Sequence, residues 1–179
     1  MGNAHSLTEL RKAVVNDPRN AQLRHMLGAE MAQQKDYEGA VMEMSAALAF
    51  NPLMHVARFQ LGLLHLTMAR PDHAISVLAP LENLNDAAAL KHFKRGLDAL
   101  IADDLQRCVN SLQTGITLSN ENEPLKRDMQ MLLDRVRERA VQQTAAQPDD
   151  FTKSSTLRKI EPCEPKGPVR TDFSLYNGP

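Results

Sequence analysis

The sequence contains no tryptophan, and only two tyrosines and five phenylalanines among 179 residues. A core built on large aromatic side chains is therefore excluded, and aliphatic and small residues must do the packing. Its two cysteines, Cys108 and Cys163, give neither a disulfide framework nor a metal-ligand spacing, so no metal or cofactor is expected. No stretch approaches the roughly eighteen consecutive apolar residues of a membrane span. The opening MGNAHSLTELRKAVV has no apolar run of signal-peptide length, which predicts a cytoplasmic location. Met1-Gly2 with Ser6 fits the short myristoylation consensus, but a single acyl chain with no basic run nearby gives only marginal membrane binding. Net charge is −1, with both signs intermixed. Neutralising phosphates demands a clustered basic excess, so no nucleic-acid partner is expected.

Catalytic patterns are missing as well. There is no nucleophile elbow, phosphate loop, paired metal cysteines or HExxH motif. The six histidines are scattered, and His55 and His65 lack metal-ligand spacing. The chain reads as a non-enzyme.

What is present is a recurrence. A step of 34 residues carries Gly28 to Gly62 and Gly96, Ala40 to Ala74 and Cys108, and Met44 to Leu78 and Leu112. Val41, Ile75 and Val109 follow the same step, and Pro52 has Pro18 one step behind. Within a unit, Val41, Met44 and Leu48 fall three and four apart, on one face of a helix. A glycine inside a helix costs about 1 kcal/mol relative to alanine, and Gly28 justifies that cost if a second helix passes close by.

A unit of this length, with Leu27-Gly28 in its first helix, Ala40 opening its second, then Met44, Ala47 and Pro52, resembles the tetratricopeptide repeat. Leu61-Gly62, Ala74 and Leu78 repeat the match. The third unit departs from it, with Arg95 before Gly96, Gly115 at the second small position and Asn120 in place of proline. The family's early aromatic is replaced throughout by Arg24, Arg58 and His92. The resemblance implies an all-α superhelical array of antiparallel helix pairs. Its expected divisions are a capping helix at 5–20, repeats at 21–54, 55–88 and 89–122, a capping helix at 123–143 and a disordered tail at 144–179. Leu7, Leu10 and Val14 should cover the first flank. Pro124 should open the last helix, with Leu125, Met129, Leu132, Val136 and Ala140 as its inner stripe.

The resemblance also implies a concave surface lined by the first helix of each pair, which holds a peptide or an amphipathic helix of a protein partner. Carrying its groove positions over gives Gln22, His25, Met26 and Ala29, then Phe59, Gln60, Leu63 and Leu66. The third unit adds Leu90, Phe93, Lys94, Leu97, Leu100 and Ile101. Lys94 alone matches a cation of the clamp with which some relatives hold acidic carboxy termini, so a carboxylate clamp is not expected. The groove should instead be apolar at its centre, with Phe59, Leu63, Phe93 and Leu97 as the anchors.

Two functions follow. The first is a non-enzymatic adaptor or scaffold, chaperone-like in its narrower form. The alternative is a self-assembling or auto-inhibited module whose own tail fills the groove, with Phe173, Leu175 and Tyr176 as a candidate linear motif. The sequence does not fix an oligomeric state.

Overall fold

The computed structural model describes residues 7–120 and 122–145, and the Phe173, Leu175 and Tyr176 motif lies outside them. Among the described residues the chain forms eight α-helices: α1 (Leu7–Asn16), α2 (Ala21–Gln33), α3 (Tyr37–Phe50), α4 (His55–Thr67), α5 (Pro71–Leu78), α6 (Ala89–Ile101), α7 (Leu105–Leu118) and α8 (Glu123–Ala145). Each packs mainly on its chain neighbours, as stacked helix pairs must when no pair can bury both apolar faces alone. This is the all-α, tetratricopeptide-like array.

The period is visible in the backbone. The first helices start at Ala21, His55 and Ala89 and the second helices at Tyr37, Pro71 and Leu105, each set 34 residues apart. Between the two helices of each pair, Lys35, Ala69 and Asp103 adopt left-handed conformations with φ of 64°, 55° and 56°. The next amide then reaches back to close the helix end: Asp36 N–H donates to Met31 O, Arg70 to His65 O and Asp104 to Ala99 O, each at 2.9 Å.

The three helical glycines occupy equivalent contacts. A methyl group on Gly28 would meet Met44 Cγ at 2.8 Å, on Gly62 Leu78 Cγ at 2.5 Å, and on Gly96 Leu112 Cδ2 at 2.8 Å. The facing small residues Ala40, Ala74 and Cys108 are fully buried. Small meets large at the same place in every pair.

The missing aromatic is replaced by a polar staple. Arg24 Nε donates to Pro18 O at 2.6 Å, Arg58 Nη2 donates to Pro52 O at 3.0 Å, and His92 Nε2 lies 2.7 Å from Asp86 O. The arginines also cross to their own second helices, Arg24 to Glu43 at 2.6 Å and Arg58 to Val77 O at 3.4 Å. In the second and third units a ring stands one residue later, at Phe59 and Phe93, and Phe93 packs against Gly115 on α7. Helix α5 is short because Pro80 has no N–H to donate, and the chain continues as a 3₁₀ turn over Ala79–Asn83.

Two cores result. Leu10 and Val14 of α1 join Leu27, Met31, Ala40 and Met44 together with Leu61 and Leu64 of α4. The other face of α4, with Phe59, Leu63 and Leu66, joins α5, α6, α7 and α8 in a larger core.

Candidate functional site

The concave positions of the three first helices differ in what covers them. Phe59, Leu63 and Leu66 on α4 and Phe93, Leu97 and Leu100 on α6 are at most 5 % exposed. They share one continuous core with Leu125, Met129, Leu132, Leu133 and Val136 of α8, and the Phe59 and Phe93 ring centroids are 6.0 Å apart. The expectation of an exposed apolar stripe centred on Phe59, Leu63, Phe93 and Leu97 is thereby corrected. Packing within the chain, to which the inner stripe of α8 contributes, supplies the apolar cover that a partner is expected to bring. Ile101 and Leu90 are partly buried against the same core.

Lys94 is also engaged. Its ammonium lies 3.0 Å from Glu82 and 2.7 Å from Asp98, so it is not a free groove cation. Hydrogen bonds from Arg95 and Lys94 hold the Glu82 carboxyl down at about 2. This cluster ties the 3₁₀ turn to α6.

Where α2 replaces α4 and α6, the concave face stays open. A cavity of about 610 Å³ lies there, walled by Ala29, Ala32 and Gln33 of α2, Gln60, Leu63, Leu64 and Thr67 of α4, and Pro124, Leu125 and Asp128 at the start of α8. Lys35, Tyr37, Met44 and Asn122 complete its lining. Its size falls within the range of sites that enclose ligands. Of the residues expected to form the groove, Ala29, Gln60 and Leu63 line this cavity, and His25 joins it indirectly through a 2.5 Å hydrogen bond between Nε2 and Gln60 Oε1. The His25 Nδ1 is buried with no partner. A second, smaller hollow of about 310 Å³, lined by Val56, Leu90, Phe93 and Leu118, meets Asn122 and Leu125 from the other side. The first turn of α8 therefore separates two unfilled spaces, and the Asn122 side chain caps that turn by accepting from the Leu125 N–H at 3.1 Å.

Asp128 stands out electrostatically. It is half-buried and lines the cavity, and burial alone pushes its carboxyl above the ordinary value. The sequence held a signal for it: Asp128 comes three residues after Leu125 and four before Leu132, at the edge of the inner stripe of α8. On α4, His65 is buried with its ring stacked 5.4 Å from His73, and desolvation keeps its imidazole below the usual range. Cys108 is buried, and loss of water pushes its thiol up to about 12, which leaves it an unreactive packing residue. Among the described residues, no group of three or more potential ligands is placed to hold a metal ion, and no helix is long and apolar enough to cross a membrane.

Solved structures share this fold, two of MamA among them. One, titled as a MamA RS-1 ArsTM double mutant, is 19% identical with a TM-score of 0.55, covering 78% of this chain and 76% of that one. The other, MamA from residue 41 to its end, from Desulfovibrio magneticus RS-1, is 19% identical with a TM-score of 0.56, covering 78% and 77%. No family model matches the chain. No curated protein matches it either.

Proposed function

We propose that the protein is a non-enzymatic adaptor that holds a segment of a partner protein in the open stretch of its concave face. The observation that carries this reading is the unfilled cavity of about 610 Å³ between α2, α4 and α8, lined by apolar side chains together with a few polar ones. The equivalent positions of α4 and α6 are already buried in one core that includes the inner stripe of α8, which makes an apolar helical or extended segment the natural ligand for what remains. The narrower form is a chaperone for an amphipathic client. Cytoplasmic location belongs to the same reading.

Filling the cavity tests it. Ala32→Trp should abolish capture of the partner that wild-type protein retains, with the helical signal unchanged, whereas Met42→Trp on the exposed face of α3 should leave capture intact. Equal capture by both variants would overturn the reading.

A second reading has one observation of its own behind it. The inner stripe of a carboxy-terminal helix, α8, already shares one core with the concave positions of α4 and α6 in cis, which makes the rest of the chain's own carboxy-terminal stretch a candidate competitor for what remains open. The Phe173, Leu175 and Tyr176 motif is one such competitor.

A further inference from the structure

We infer that the cavity between α2, α4 and α8 docks a short segment that places a cation between aliphatic side chains, and that its occupant is Leu157-Arg158-Lys159-Ile160 of the same chain. The inference rests on the reading of this cavity as a segment-binding site and deepens it by naming the ligand chemistry.

The first observation is Asp128. Its carboxylate lines the cavity, is half-buried, and has neither a hydrogen bond nor an ion pair with a described residue. Partial loss of water raises the Asp128 carboxyl, with no neighbouring charge opposing it, while its oxygens still reach solvent. Lys35, the other charged residue lining the space, makes no ion pair with it. The site therefore offers a partly desolvated, unpaired carboxylate to which a bound lysine or arginine adds a charge-assisted hydrogen bond.

The second observation is the wall chemistry. Ala29, Ala32, Leu63 and Leu64 present aliphatic surface beside Asp128, so the ligand needs apolar side chains flanking its cation. In the carboxy-terminal stretch, Leu157 and Ile160 flank Arg158 and Lys159. Around Phe173, Leu175 and Tyr176 the neighbours include Asp172, and Arg170 is the nearest cation. Glu161 follows Ile160, yet Arg158 and Lys159 leave the earlier segment with a net positive charge, whereas Arg170 and Asp172 cancel in the later one; charge complementarity with Asp128 selects the earlier segment.

The third is reach. From Asp128 to Ala145 helix α8 runs about 26 Å at 1.5 Å per residue. The stretch from Ala145 to Leu157 spans at most about 40 Å when extended. The segment can return along its own helix to the cavity, and covalent attachment presents it at an effective concentration on the order of 1 mM.

Cys163 makes the test direct, because it lies three residues beyond Ile160 and Cys108 is buried with a thiol held up at about 12. A nitroxide attached to Cys163 of the full-length chain should selectively weaken the amide signals of Gln33, Thr67 and Asp128. Arg158→Glu with Lys159→Glu should remove that loss, Asp128→Lys added to the same chain should restore it, and Phe173→Ala with Tyr176→Ala should leave it in place. Loss spread evenly over the surface, loss centred elsewhere, or loss indifferent to the charge exchange would overturn the assignment. Equal loss in a mixture of isotope-labelled and nitroxide-labelled chains would overturn docking within one chain. Partner capture that still responds to Ala32→Trp, with no nitroxide effect at the cavity, would reject this occupant while leaving the binding site standing.

Discussion

Residues one repeat apart meet opposite fates on the concave face. His25, Ala29 and Ala32 of α2 remain partly exposed, whereas Phe59, Leu63 and Leu66 of α4 and Phe93, Leu97 and Leu100 of α6 are buried. The backbones are alike, with helix starts in register and the same left-handed turn closing each first helix. What differs is side-chain volume and the presence of α8. Over the second and third units the expected groove positions are core, and Leu125, Met129, Leu132, Leu133 and Val136 of the terminal helix belong to that same core. Over the first unit, small and polar side chains leave the space unfilled. A repeat period thus dictates the scaffold and leaves the use of its concave face to the few residues that vary within it.

The sharpest way to break this comparison is to truncate equivalent positions. Phe59→Ala removes a fully buried ring and should cost about 3–5 kcal/mol, whereas His25→Ala loses the hydrogen bond to Gln60 and should cost about 1 kcal/mol. Chemical denaturation of the two variants measures both; similar losses would mean the two units are packed alike after all. The next effect lies on α8 itself. Leu133→Ala, deep in the shared core, should cost about 2–5 kcal/mol and expose a dye-binding surface, while Met131→Ala, 54 % exposed on the outer side, should stay within about 0.5 kcal/mol. A large loss at Met131 would show that the outer face of α8 is also packed.

Much of the fold was legible because its signals are local and repeated. Gly28, Gly62 and Gly96 announce close helix contacts, and Met44, Leu78 and Leu112 stand opposite them as the period requires. The expected groove residues fall on α2, α4 and α6, but helical periodicity reports only that a face is apolar, not whether another chain or the same chain covers it. The inner stripe of α8 reads equally well as a flank cap and as a groove filler. Asp128 was passed over for a related reason: a charge at the edge of a stripe resembles an ordinary solvated residue until the opposing walls are in place. The polar staples of Arg24, Arg58 and His92 needed coordinates, since their acceptors are backbone carbonyls that carry no sequence signature.

The smallest effects lie in the three left-handed turns, and they probe the same contrast from the backbone. An alanine in this region costs roughly 1–2 kcal/mol in steric strain that glycine avoids, and the greater freedom of glycine in the unfolded chain offsets part of that gain. Ala69→Gly, at an exposed position with φ of 55°, should therefore raise stability by about 0.5–1 kcal/mol, and Lys35→Gly, at φ of 64°, should do the same. Asp103→Gly should not. Aspartate tolerates the left-handed region better than alanine, and the Asp103 carboxylate accepts a hydrogen bond from Arg139 Nη2 at 3.0 Å, which fastens the far part of α8 to the turn between α6 and α7. Losing that link cancels the relief of strain, so denaturation midpoints should rise for the first two variants and stay level or fall for the third. An equal rise in all three would mean that the Arg139 contact adds nothing to the hold on α8, and that the cover over the second and third units rests on its apolar stripe alone.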